Sequence, residues 1–154
     1  LVFPGVTEDI HVDVSFRISD TGFKIIKNLT EAAEEDEKFV FQIDYRGNET
    51  EAGAVTSTMY AVVMVKQGET SGTAEFIDMK KGWYSVTETE SNWRVELQTD
   101  SLAGDNPGAT VEESKRKVSY LVDTAKEYAF TNSRLDKPWA NGKNDVINDM
   151  PPVK

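Results

Sequence analysis

The sequence predicts an all-β fold, a sandwich of two mainly antiparallel sheets with about seven to nine strands. Hydrophobic residues make up only 38% of the chain. They are concentrated in short runs of period-two alternation, which suits sheets with one buried and one wet face. The runs recur at sandwich-like spacing and are separated by clusters of turn-forming residues. At 154 residues the chain is about one domain, long enough to bury a core without staples, and it has no cysteine to supply them. Strand counting of this kind points to an immunoglobulin-like or transthyretin-like Greek-key arrangement.

The first alternating run covers residues 10–18, with Ile10, Val12, Val14, Phe16 and Ile18 in phase. It is either an additional strand of this domain or the end of a preceding module. Residues 23–29 (FKIIKNL) place Phe23, Ile25, Lys27 and Leu29 on one face. The acidic stretch 30–38 lacks β-branched residues after Thr30 and reads as a loop or a single helical turn. Residues 39–45 turn Phe39, Phe41, Ile43 and Tyr45 inward, and 46–56, with two glycines and several charges, form a connection. Residues 59–66 (MYAVVMVK) are apolar on both faces, the pattern of a central strand.

Turn chemistry at 67–72 (QGETSG) leads into a short strand at 73–79, and 80–82 turn the chain into the strand 82–90 (GWYSVTETE). Residues 93–99 alternate with Trp93, Val95 and Leu97 in phase, and 100–110 (DSLAGDNPGAT) read as an exposed loop. The last two strands fall at 115–123 and 127–133. Residues 134–154 carry three prolines and little periodicity, the composition of a linker or tail. The organisation expected is therefore an N-terminal strand within 1–20, a sandwich domain over 21–135 and a C-terminal tail at 136–154.

Three of these strands break their own pattern. Lys27 puts an amine into an apolar row. Glu88 shares its face with Tyr84 and Val86, and Asn132 continues the face of Tyr128 and Phe130. An isolated carboxylate on a core face is costly unless it is protonated or partnered. The amine, the carboxyl and the carboxamide are thus candidate partners for one another. Lys24 is a competing amine, but alternation places it on the opposite face with Ile26.

The order of these motifs resembles the CnaB-type modules of Gram-positive surface proteins and pilins, which carry an intramolecular Lys–Asn isopeptide bond. The lysine strand KIIKNL is followed by an aromatic-rich strand, KFVFQIDY. A Gly-x-Tyr-x-Val-x-Glu signature follows as GWYSVTE, and the last strand ends in Phe-x-Asn as AFTNS. The resemblance spans residues 21–135. It implies a Greek-key sandwich in which Lys27 is the amine, Asn132 the acceptor amide and Glu88 the catalytic acid. It also implies a stalk or pilin-shaft module with no turnover activity and no cofactor, attached to the cell wall through an anchor outside these residues, its partners being neighbouring modules or pilin subunits.

The chemistry asks for such a setting. Burial disfavours charge on both an amine and an acid, so the amine becomes a nucleophile and the acid can hydrogen-bond the amide and pass protons to departing ammonia. Proximity on rigid strands lowers such a barrier by about 7–11 kcal/mol. Closing a loop of about 100 residues is worth roughly 4.7 kcal/mol in the chain-entropy model.

Other features point elsewhere with less force. A net charge of −10, from 27 acidic and 17 basic residues, argues against nucleic acid and anionic membranes as partners. No apolar run approaches the roughly 20 residues of a membrane span, and no signal segment opens the chain. His11 is the only histidine, and the acidic run 34–37 lacks the glycine turn and spaced ligands of a calcium loop, so no metal site is expected and the run reads as a solvated face. Trp83, Trp93 and Trp139 could stack on sugars, with Trp83 facing away from the core. That defines a second functional class, an adhesin-type module recognising a host protein or glycan.

Overall fold

The structure, a computed structural model, describes residues 21–90 and 94–135. The expected strand at 10–18, His11, Ile18, Trp93, Trp139 and the 136–154 tail lie outside the described residues. Among the described residues nine strands form two sheets. β1 (Gly22–Leu29), β4 (Ser71–Ile77), β6 (Val95–Leu97) and β9 (Lys126–Arg134) make one sheet in the order β4-β1-β9-β6. β2 (Glu37–Tyr45), β3 (Ser57–Val65), β5 (Gly82–Glu90), β7 (Thr110–Glu112) and β8 (Lys117–Val122) make the other, in the order β3-β2-β5-β8-β7. The fold is a β-sandwich, as the alternation predicts.

The core is the set of inward rows read from the sequence. Phe23, Ile25 and Leu29 from β1 meet Phe39, Phe41 and Ile43 from β2, Tyr84 and Val86 from β5, and Tyr128 and Phe130 from β9. Two aromatic clusters tie the sheets together. Phe23 packs on Phe76, Tyr84 and Tyr128 at one end, and Phe41 packs on Phe130 near the other. The Tyr128 hydroxyl donates to the Tyr84 carbonyl across the sandwich at 3.0 Å, so the one polar atom that this ring carries inward is satisfied.

The pairing of first and last strands matters most for function. β1 and β9 run parallel, with Lys27 opposite Phe130 and Leu29 opposite Asn132. Parallel neighbours need a long crossover, and here the rest of the domain is that crossover.

Four expectations from the sequence are corrected. The run 59–66 is not a central strand: β3 lies at the edge of its sheet, and Tyr60, 66% exposed, and Val62 stand on its outer face. Apolar residues on both faces signal burial only when a neighbouring layer covers both, and no described element covers the outer face here. The stretch 100–110 is exposed over most of its length, as expected, but it is not a plain loop. A 3-10 turn (Thr99–Ser101) runs into a short helix, α1 (Leu102–Asp105), and Leu102 and Asn106 are buried. The Asn106 side chain donates to Leu102 and Ala129 carbonyls and accepts the Ala129 N–H, each at 2.8 Å, standing in for a strand along the edge of β9. Among the described residues of the run at 93–99 only Val95–Leu97 form a strand, β6, and a further strand, β7, precedes β8. Finally, the acidic run 34–37 is not simply solvated, because Glu37 opens β2 on its inward face and is buried.

Candidate functional site

Lys27, Glu88 and Asn132 come together in the core. Their residues are 0%, 1% and 0% exposed. Lys27 and Asn132 reach the site from adjacent strands of one sheet. In the parallel register Asn132 sits opposite Leu29, one pleat beyond Lys27, and the four-carbon lysine stem spans that offset. Glu88 arrives from the facing sheet, paired with Phe41 on β2. A bulge follows it at once, since Phe41 pairs with Glu88 but Val40 with Glu90, and bulges re-aim the side chains beside them.

The three side chains form a closed ring of contacts. Lys27 Nζ donates to Glu88 Oε2 at 2.8 Å and also to Asn132 Oδ1. Asn132 Nδ2 donates to Glu88 Oε1 at 2.9 Å. One carboxyl group therefore touches the amine with one oxygen and the amide nitrogen with the other. The Phe39 ring lies 4.7 Å from Nζ and offers its face to the cationic form. Among the described residues no buried side-chain nitrogen or oxygen lacks a partner.

Burial lowers the Lys27 pKa from the ordinary lysine value of 10.5 to about 8. The Glu88 charge and hydrogen bond oppose that shift, and the Arg116 charge adds a smaller downward push. Arg116 also supports the site through its backbone, in a left-handed conformation (φ 54°), with its carbonyl accepting the Glu88 N–H at 3.3 Å. The arrangement holds an amine, a carboxamide and an acid in contact, away from water, which are the parts that transamidation requires.

The other candidates lie apart. Lys24 is on the outer face of β1, in ion pairs with Glu75 and Glu127 at 3.7 and 3.8 Å, all largely exposed. Trp83 stands on the outer face of β5, half-buried, opposite Leu121 of β8. Among the described residues no group of acidic or histidine side chains is placed to hold a metal ion, and no helix is long and apolar enough to cross a membrane.

Reading the sequence for single anomalies missed the layer beside the site. Glu37 lies one pleat before Phe39, and Arg134 one pleat after Asn132. Both occupy inward phases, and their side chains approach at 3.5 Å. Extending each alternating row by one residue pair would have revealed them.

No family model and no curated protein matches the chain. Among solved structures it is similar to the pilus-presented adhesin Cpa. A point mutant of that protein matches at 22% identity over 77% of this chain, with a TM-score of 0.44. A second crystal structure of the same adhesin matches at 23% identity over 75% of this chain, with a TM-score of 0.41. In each case the matched region is 28% of the adhesin's length.

Proposed function

We propose that this chain is a structural module of a bacterial cell-surface protein or pilus, stabilised by an isopeptide bond that Lys27 and Asn132 form without any enzyme. The observation that carries the reading is the buried ring of Lys27, Glu88 and Asn132, with the acid touching both amine and amide. In the reacting form the proton shared by Lys27 and Glu88 sits on the carboxyl, leaving a neutral amine. Nζ attacks Cγ of Asn132, the Cγ–Nδ2 bond breaks, and a new Nζ–Cγ amide replaces it. Glu88 passes protons from Nζ to Nδ2, which leaves as ammonia, so the balance closes with no other reactant. The event happens once per molecule and is maturation, not turnover.

The topology gives such a bond a mechanical purpose. Because β1 and β9 are parallel, tension applied at the two ends of the domain enters β1 near Gly22 and leaves β9 near Arg134. A bond from Lys27 to Asn132 carries that load across one strand pair and bypasses the residues between them. The module is then a stalk or shaft element of the CnaB type, with neighbouring modules as its partners.

Intact-mass measurement of the purified protein tests this directly. The expected mass is the sequence mass less one ammonia, with a branched Lys27–Asn132 peptide after digestion. Glu88→Ala is expected to restore the full sequence mass. A parent protein of full sequence mass after time for maturation would reject the bond.

A further inference from the structure

We infer that Arg134 is a positioning residue for bond formation, clasping the end of β9 so that Asn132 stays against Lys27 and water stays out. The inference rests on the isopeptide reading above.

Asn132 is two residues from the end of β9, and strand ends open readily unless something ties them down. The backbone of this end pairs with β6, Val95 opposite Arg134; the tie from it to the β1–β2 loop and to the facing sheet is the side chain of Arg134, which follows Asn132 on the same inward row. Its guanidinium donates to the Ala32 carbonyl at 3.3 Å and lies 3.5 Å from Glu37, 3.4 Å from Glu34 and 3.9 Å from Glu31. Glu31, Ala32 and Glu34 belong to the loop that leaves β1 after the lysine strand, and Glu37 begins β2. One planar group thus joins β9 to the β1–β2 connection and to the facing sheet, a geometry suited to the fixed fork of arginine. The same loop is anchored further in: Thr30 N–H donates to the Asn132 carbonyl at 3.0 Å and Ala33 N–H to Glu69 at 2.9 Å, with Ala33 buried. Arg134 and this loop form the lid of the end of the sandwich that holds the reacting groups.

Opening that end would act on the chemistry in two ways. Asn132 would lose its fixed distance to Nζ, and an ångström of misplacement costs about a hundredfold in rate. Water would also favour the ion-paired form of Lys27 and Glu88 over the neutral amine and acid that react. The charged groups around Lys27 are Glu88 from β5, Arg116 ahead of β8, and the Glu37 and Arg134 pair on the adjoining inward rows of β2 and β9. With burial relieved, the lysine pKa should move back up from about 8.

The experiment follows loss of ammonia by intact mass in full-length chains made by cell-free synthesis, as a function of time and pH, for the parent, Arg134→Gln and Arg134→Lys. Arg134→Gln is expected to slow bond formation by about tenfold to a hundredfold and to move the alkaline limit of the rate to higher pH. Arg134→Lys, which keeps the charge but not the fork, should fall between it and the parent. A mere loss of fold stability would lower the folded fraction, as circular dichroism reports, without moving the pH limit. Equal rates and an unmoved limit in Arg134→Lys and in any folded Arg134→Gln would overturn the inference while leaving the bond itself intact. Absence of ammonia loss in the parent would instead defeat the reading on which it rests.

Discussion

Asn132→Ala and Asn106→Ala remove the same side chain from two equally buried places, and the difference between them isolates the covalent bond. Asn106 makes three hydrogen bonds at 2.8 Å and no proposed cross-link. Its loss should cost about 2–4 kcal/mol, the order expected for several buried bonds broken together. In the cross-linked parent Nδ2 has left as ammonia and Nζ is bonded to Cγ, so the two hydrogen bonds that Asn132 makes in the unreacted ring are not there to lose. Asn132→Ala instead opens a loop between positions 105 apart in sequence, which costs about 4.7 kcal/mol. For a domain of about 115 residues, an unfolding entropy near 2.1 cal/mol/K per residue translates each kcal/mol into about 4 °C of Tm. Calorimetry should therefore show Asn106→Ala melting about 8–16 °C below the parent and Asn132→Ala about 20 °C below it. If Asn132→Ala melts no lower than Asn106→Ala, no loop was closed, and the mechanical argument falls with it.

Three further outcomes are expected. The rate of ammonia loss should be level near neutrality and decline about tenfold per pH unit above pH 8, because Lys27, with its pKa lowered to about 8, then gives up the one proton it shares with Glu88 and no acid remains; a rate that keeps rising to pH 10, followed by intact mass, would contradict the shared-proton step. Lys24→Ala should leave both the mass deficit and the Tm within experimental scatter, since its ion pairs are exposed and such pairs contribute about 0–1 kcal/mol. Gly72→Ala should destabilise by about 3 kcal/mol or more in denaturant titration, because an added Cβ would lie 2.2 Å from the Met64 backbone oxygen where the chain turns from β3 into β4; a neutral effect would mean that this corner moves freely.

Side-chain phase was legible in the sequence because period-two alternation is a local property of the chain. A residue's side of the strand follows from its neighbours two positions away. That is why the inward rows of β1, β2, β5 and β9, and the anomalous places of Lys27, Glu88 and Asn132 within them, could be named before any coordinates. Strand order was not legible, because it depends on which backbone edges meet, and those edges carry the same groups in every strand. β3 shows the consequence: its two apolar faces suggested a centre, and the structure puts it at an edge. Asn106, read as part of a loop, and Arg134, read as the start of the tail, were misplaced for a related reason, since their roles lie in bonds to Ala129, 23 residues away, and to Glu37, 97 residues away. The sequence determined that an amine, an acid and an amide each face inward. Only the parallel docking of β1 on β9, with β5 across the core, decided that they face one another, because contact between residues so distant in the chain is set by how whole sheets pack and not by any local pattern.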